Sequence, residues 1–167
     1  MDIGIRAEAA TDPLPPITFR WDAETEILAG HFDPPAGGRG LTGAIEYTSP
    51  EGAVITVDVV RGVLCGVEVV VWPQTRQRDD LATPAAEPGR VTVPARPSQP
   101  GVGAIELEAP IAAEATADER TIHLRLGRRR PATGWQVARN MVVELDEKRG
   151  IAGFWLLDVP PFPREEA

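Results

Sequence analysis

From Ala53 to Val71, and again from Met141 to Val159, runs of valine, isoleucine and leucine are broken by an Asp, an Arg-Gly pair and a second glycine. β-Branched residues suit a pleated surface, and glycine accepts the positive φ that tight turns ask for. Each stretch therefore predicts strand, turn, strand. The same reading gives strands at 16–21, 26–32, 42–48, 53–60 and 63–72, then at 103–108, 111–117, 120–127, 134–139, 140–146 and 151–159. No stretch keeps a 3.6-residue apolar period, although Ile111–Ala117 is short enough to be read as a helix as well. Trp72-Pro73 and Val159-Pro160-Pro161 end the last strand of each half, because proline cannot donate to a ladder. The prediction is an all-β, β-rich fold with little helix.

The two stretches also align with one another. Asp58 stands four residues before Gly62, and Asp146 stands four before Gly150; the next glycine, Gly66 or Gly153, comes one residue sooner in the second copy. Upstream, the polar turn after Trp21-Asp22 feeds Ile27-Leu28, and the turn after Ala117-Asp118 feeds Ile122-His-Leu124. A tandem duplication is the economical reading, with a loose arm over 1–15, a first β repeat over 16–72, a linker over 73–103 and a second β repeat over 104–163. Six prolines and few large apolar residues mark the linker, although Arg90–Val93 could add an edge strand there. Val63–Trp72 and Ile151–Val159 carry apolar residues on both faces, which a half-solvated sheet would not. The expectation is two similar small antiparallel β-sheet units packed face to face with pseudo-twofold symmetry.

These motifs resemble the YuzE-like family, small bacterial proteins grouped as a domain of unknown function. The first copy matches from Trp21-Asp22 through Leu28 and from Asp58 through Glu68. The second matches from Ala117-Asp118 through Leu126 and from Asp146 through Gly153. Where the family has Leu-Tyr, this chain has Ile27-Leu28 and Ile122-His123, and Trp155 stands where the first copy has Glu68. The resemblance covers roughly two-thirds of the chain and implies a small β-sheet domain, with no established catalytic residues.

Composition narrows the function classes. The 167 residues carry 16 Gly and 17 Pro, enough punctuation to argue against long helices, and 43% apolar residues, enough to fill a core. The net charge of −8 is uneven: residues 1–72 hold −7, 73–103 hold +1 and 104–167 hold −2. An acidic first half repels phosphate backbones, so no nucleic acid is expected as partner, whereas a basic protein surface would be attracted. Without an apolar run of about 20 residues or an export-type start, the expectation is a cytoplasmic protein that does not engage the membrane. Cys65 alone excludes an internal disulfide and any cysteine cage for a metal.

Candidate chemistry is sparse. His31 and His123 read as exposed, non-catalytic residues: neither has a second histidine at metal-binding spacing, and no nucleophile-elbow, zinc-protease or phosphate-loop pattern occurs. Cys65 reads as an inert core thiol, and Asp22, Asp58, Asp118 and Asp146 as turn caps. Gly37-Gly38-Arg39-Gly40 reads as a flexible loop. No catalytic residue, cofactor site or metal site is predicted. Arg128-Arg129-Arg130, with Arg125 before it and Trp135 after, is the one basic cluster beside an aromatic. Together with Leu64, Trp72, Phe154 and Leu156 on the doubly apolar strands, these residues form the predicted partner-binding set. The function expected is a non-enzymatic interaction or assembly module that binds a protein partner or itself. The alternatives are an acidic antitoxin or immunity-type protein that binds a basic toxin, and a small-ligand-binding protein or enzyme of unrecognised class.

Overall fold

Alternating burial along the chain follows the alternation of its apolar residues. In Val54–Val60, Ile55, Val57 and Val59 are at most 1% exposed while the residues between them are half-buried. The computed structural model describes residues 4–34, 40–94 and 102–164, and within them it has strands and no helix. The strands are β1 (Arg6–Ala9), β2 (Thr18–Trp21), β3 (Leu28–His31), β4 (Thr42–Thr48), β5 (Val54–Val60) and β6 (Val63–Val71). After these come β7 (Thr75–Gln77), β8 (Ala86–Thr92), β9 (Val102–Glu108) and β10 (Ile111–Ala115). The last four are β11 (Ile122–Leu126), β12 (Ala132–Ala138), β13 (Met141–Asp146) and β14 (Ile151–Leu156). All eleven strands expected from the sequence are present, and Ile111–Ala115 is strand, not helix.

The strands join in one mixed sheet that curls into a half-barrel, in the order β7-β10-β11-β14-β13-β12-β8-β6-β5-β4-β9. β3 lies along β6 and carries β2, and β1 lies along β8. Three pairings are parallel: β7 with β10, β8 with β12 and β9 with β4. β8 is the hinge of the curl. Its residues 86–88 pair with β12, residues 89–92 with β1, and Thr92 meets Val63 of β6.

Three strands, β1, β7 and β8, lie in segments expected to be a loose arm and a linker. Proline and glycine content suggested poor packing, but Ile5, Val91 and Val93 are at most 1% exposed, so these segments fill core positions. The strand expected for Arg90–Val93 is present as part of β8, but it lies inside the strand order, between β12 and β6, and not at an edge. Residues 95–101 of the expected linker lie outside the described residues.

One buried cluster draws on both halves of the chain. Leu64, Phe154 and Leu156 are 0% exposed within it. Bulges in the β5–β6 and β13–β14 ladders shift the alternation, so Leu64, Phe154 and Leu156 share the core face with Val59, Val143 and Met141, and these three residues are core, not the partner contacts expected of them. Each such side chain contributes roughly 1.5–3 kcal/mol by leaving water. A polar clamp ties the halves together. Buried Asn140 accepts from the Ile17 N–H at 2.9 Å and donates to the carbonyls of Ile17 at 2.7 Å and Leu157 at 3.3 Å.

The two hairpins solve their turns differently. Val60 pairs with Val63 across Arg61-Gly62, whose φ values of 47° and 79° suit the two-residue turn that matches strand twist. In the second hairpin the left-handed residue is Arg149, with φ 59°, and not Gly150 as the repeat suggested.

Candidate functional site

Three of the four repeated aspartates cap turns. Asp22 Oδ1 accepts from the amides of Glu24 and Thr25, and Asp118 Oδ1 accepts from the Arg120 amide and the Thr116 hydroxyl. The Thr116 hydroxyl, then the Arg120 amide, hold the Asp118 carboxyl below the usual carboxylate range. Asp146 Oδ1 takes the Lys148 and Gly150 amides, both at 2.9 Å, while Oδ2 takes Arg130 Nε at 2.9 Å. Burial alone would raise its pKa, but the Gly150 amide, Arg130 and the Lys148 amide together lower it. Asp58 is the exception, because its partner is His31.

The arginine cluster does not act as a unit. Arg130 is built in: besides Asp146, it donates to the carbonyls of Leu126, Arg128 and Ile151 at 2.6, 2.9 and 3.3 Å. Arg129 pairs with Glu114, which also holds Arg78, each at 3.1 Å. Arg125 is half-buried and donates to the Gly127 carbonyl. Arg128 is exposed. Trp135 is half-buried against the core, its ring lying over Gly89 of β8, where a Cβ would meet Cε3 at 2.3 Å. Of this group, only Arg128 and Arg129 are left on the surface for a partner. Cys65 is buried, and burial, with Asp58 and Asp33 adding to it, pushes its thiol up to about 11. Of the glycine-rich loop, 37–39 lie outside the described residues.

Both histidines meet a carboxylate across a glycine. His31 of β3 and Asp58 of β5 both face Gly66 of the intervening β6, and their side chains bond above it. A Cβ on Gly66 would lie 2.3 Å from His31 Cδ2, so glycine makes the space that the imidazole occupies. Glu68, two residues along the same face, brings Oε1 to 3.6 Å from His31 Nε2. In the second half His123 Nε2 bonds Glu144 Oε1 at 2.6 Å, beside Gly153. There the neighbour two residues along β14 is Trp155, stacked on His123 with centroids 4.4 Å apart. The Trp155 Nε1 is buried without a hydrogen-bond partner. The histidines were expected to be exposed bystanders. His31 is exposed, His123 is half-buried, and both are paired.

An aromatic cleft of about 350 Å³ opens where the halves meet. Trp21 stacks on Trp72 at 5.5 Å and meets the edge of Phe162 at 5.1 Å. Both indole N–H groups are anchored, that of Trp21 on the Pro160 carbonyl and that of Trp72 on the Glu26 carbonyl, each at 2.9 Å. Ala115 and Ile122 form the floor, Glu26 and Glu119 stand at the rim, and Arg164 reaches Glu119 at 3.5 Å. Of these residues, only Trp72 belongs to the partner-binding set expected from the sequence. Trp21 and Trp72 each end a strand before a polar or proline-led turn, which was the available signal, but their meeting depends on how the sheet curls. No family model matches this chain, and no curated protein matches it.

Proposed function

We propose that this chain is a non-enzymatic interaction module built from two related β-units of the YuzE-like kind, and that the aromatic cleft holds a segment of its partner. The duplicate-unit reading is supported by strand order. Around the first half it runs β2-β3-β6-β5-β4-β9, and around the second β10-β11-β14-β13-β12-β8, with the last strand parallel in each. Ladder irregularities also correspond, between Asp58 and Val59 in one hairpin and between Glu144 and Leu145 in the other.

The observation that carries the interaction reading is the cleft itself. Fixed tryptophans offer large contact area at little ordering cost, which is why they dominate binding energy at interfaces. Its volume suits one or two side chains at the small end of ligand-pocket sizes. Glu26 at the rim, within a chain of net charge −8, favours a basic segment, while Glu119 is paired with Arg164. A basic toxin would satisfy the same chemistry.

Thr75 is exposed, lines the cleft and belongs to no core cluster, so Thr75→Trp plugs the cleft without disturbing the fold. Tag-free protein is titrated with short basic, acidic and proline-rich peptides while tryptophan fluorescence is followed. Saturable binding of the basic peptides, lost in Thr75→Trp, is expected. Equal binding by both proteins, or binding of none of the peptides, overturns the cleft as partner site.

A further inference from the structure

We propose that His31, Asp58 and Glu68 form a binding site for one divalent transition-metal ion of the zinc type. The three offer one ligand atom each, and those atoms all lie within 4.8 Å of one another. Zinc binds imidazole nitrogen and carboxylate oxygen at about 2.0–2.2 Å, which places the ligand atoms of a tetrahedral site about 3.4 Å apart. His31 Nε2 and Glu68 Oε1 already stand at 3.6 Å. The remaining adjustment is a side-chain rotation that moves ligand atoms by about 1.5 Å or less, and all three side chains reach solvent and have room to make it. No backbone has to move, because the ligands rise from three hydrogen-bonded strands, β3, β6 and β5, on one face of the sheet.

Charge and space point the same way. Two carboxylates beside a single imidazole make the site rich in negative charge, which a bound cation offsets. Mixed nitrogen and oxygen donors favour zinc and its neighbours over magnesium or calcium, which take oxygen sets. Three protein ligands leave the outward position to water. The second half supplies an internal contrast. His123 and Glu144 repeat the imidazole–carboxylate pair, but Trp155 takes the corner that Glu68 fills, and Arg125, Arg128, Arg129 and Arg130 line the adjoining pocket. That half has two donors and a basic border, so it holds no such ion. The assignment is one of binding, independent of the aromatic cleft, and no reaction is attached to it.

Calorimetric titration of the tag-free, chelator-treated full chain with zinc chloride tests the site, with magnesium chloride run alongside. One ion per chain is expected, with magnesium at least a hundredfold weaker. His31→Ala and Glu68→Gln should each weaken zinc at least tenfold, and His123→Ala should leave it within twofold. Circular dichroism of each variant confirms that the fold is retained. Absence of saturable binding, a stoichiometry unchanged by His31→Ala and Glu68→Gln, or loss of binding in His123→Ala overturns the proposal.

Discussion

Replacing Arg130 by Ala is expected to unfold the protein far more easily than replacing Arg128, two residues away in the same basic run. The Arg130 guanidinium makes four hydrogen bonds of 2.6–3.3 Å, one to the Asp146 carboxylate and three to backbone carbonyls. Hydrogen bonds to charged groups are worth about 1.5–3 kcal/mol, and breaking a fully buried ion pair costs about 3–5. Here the Arg130 side chain is 27% exposed and Asp146 14%, so returning water recovers part of that cost. About 2–3 kcal/mol should be lost at pH 7. With a urea slope of about 1–3 kcal/mol per molar, the midpoint falls by roughly 0.7–3 M. Arg128→Ala should stay within about 0.5 kcal/mol. The pH dependence follows from Asp146, whose carboxyl is held below its ordinary value in the folded chain. A depressed carboxylate stabilises fully above its unfolded pKa of about 3.9, and that stabilisation is lost as pH falls through the folded value. The gap between parent and Arg130→Ala should therefore stay constant from pH 7 to about pH 4 and narrow only below that, as the Asp146 carboxylate takes up its proton. Equal midpoints for Arg130→Ala and Arg128→Ala, or a gap that widens in acid, would show that the guanidinium is not paired in the fold as described.

Two other substitutions probe separate parts of the molecule. Asn140→Ala orphans the Ile17 N–H and C=O inside the seam between the halves and should cost about 2–3 kcal/mol, read by urea unfolding, with amide exchange rising first around Ile17. Cys65, with its thiol pushed up to about 11, has about a thousandth of its population as thiolate at pH 8; an exposed thiol reagent should label it at least a hundredfold more slowly in buffer than in 8 M urea, and comparable rates would mean the strand is open.

The strands were readable because each one needs only local alternation and a nearby stop. Val54–Val60 alternates, Arg61-Gly62 turns, and Pro73 ends what Val63 begins. What proved illegible depended on partners far along the chain. Pro88 and Gly89 made β8 look like linker, yet Gly89 is small because Trp135 lies across it, a contact between residues 46 apart. Leu64 and Leu156 were correctly seen to need cover, but sequence could not say whether the cover came from this chain or another. Both are sealed within the chain. The arginine run likewise looked uniform in sequence. Only the fold distinguishes Arg130, aimed inward at Asp146, from Arg128, left in solvent.

The glycines after each hairpin turn show why the candidate metal site escaped a reading by spacing. In the sequence, Gly66 and Gly153 read as part of a turn signature, which aligns the copies on Asp58 and Asp146. Register pairs Gly66 with Asp58 but pairs Gly153 with Glu144, so the true counterpart of Asp58 is two residues earlier than the sequence alignment placed it. Each glycine leaves a notch in the outer face of a central strand, and each notch admits a histidine that closes on the opposing carboxylate. Since strand neighbours two apart share a face, the residue that follows each notch decides what the pair can do. Trp155 stacks on its histidine and shuts the site with an aromatic ring, whereas Glu68 adds a third donor and leaves the site open to solvent. On the proposed duplication, two positions separate the structural pair from the ligand set: Trp155 stands in place of Glu68, and the histidine lies opposite the notch glycine in the first half, His31 on Gly66, but opposite the tryptophan in the second, His123 on Trp155. That is why the difference between Glu68 and Trp155, a departure within the repeat, carries more functional information than the residues the two copies share.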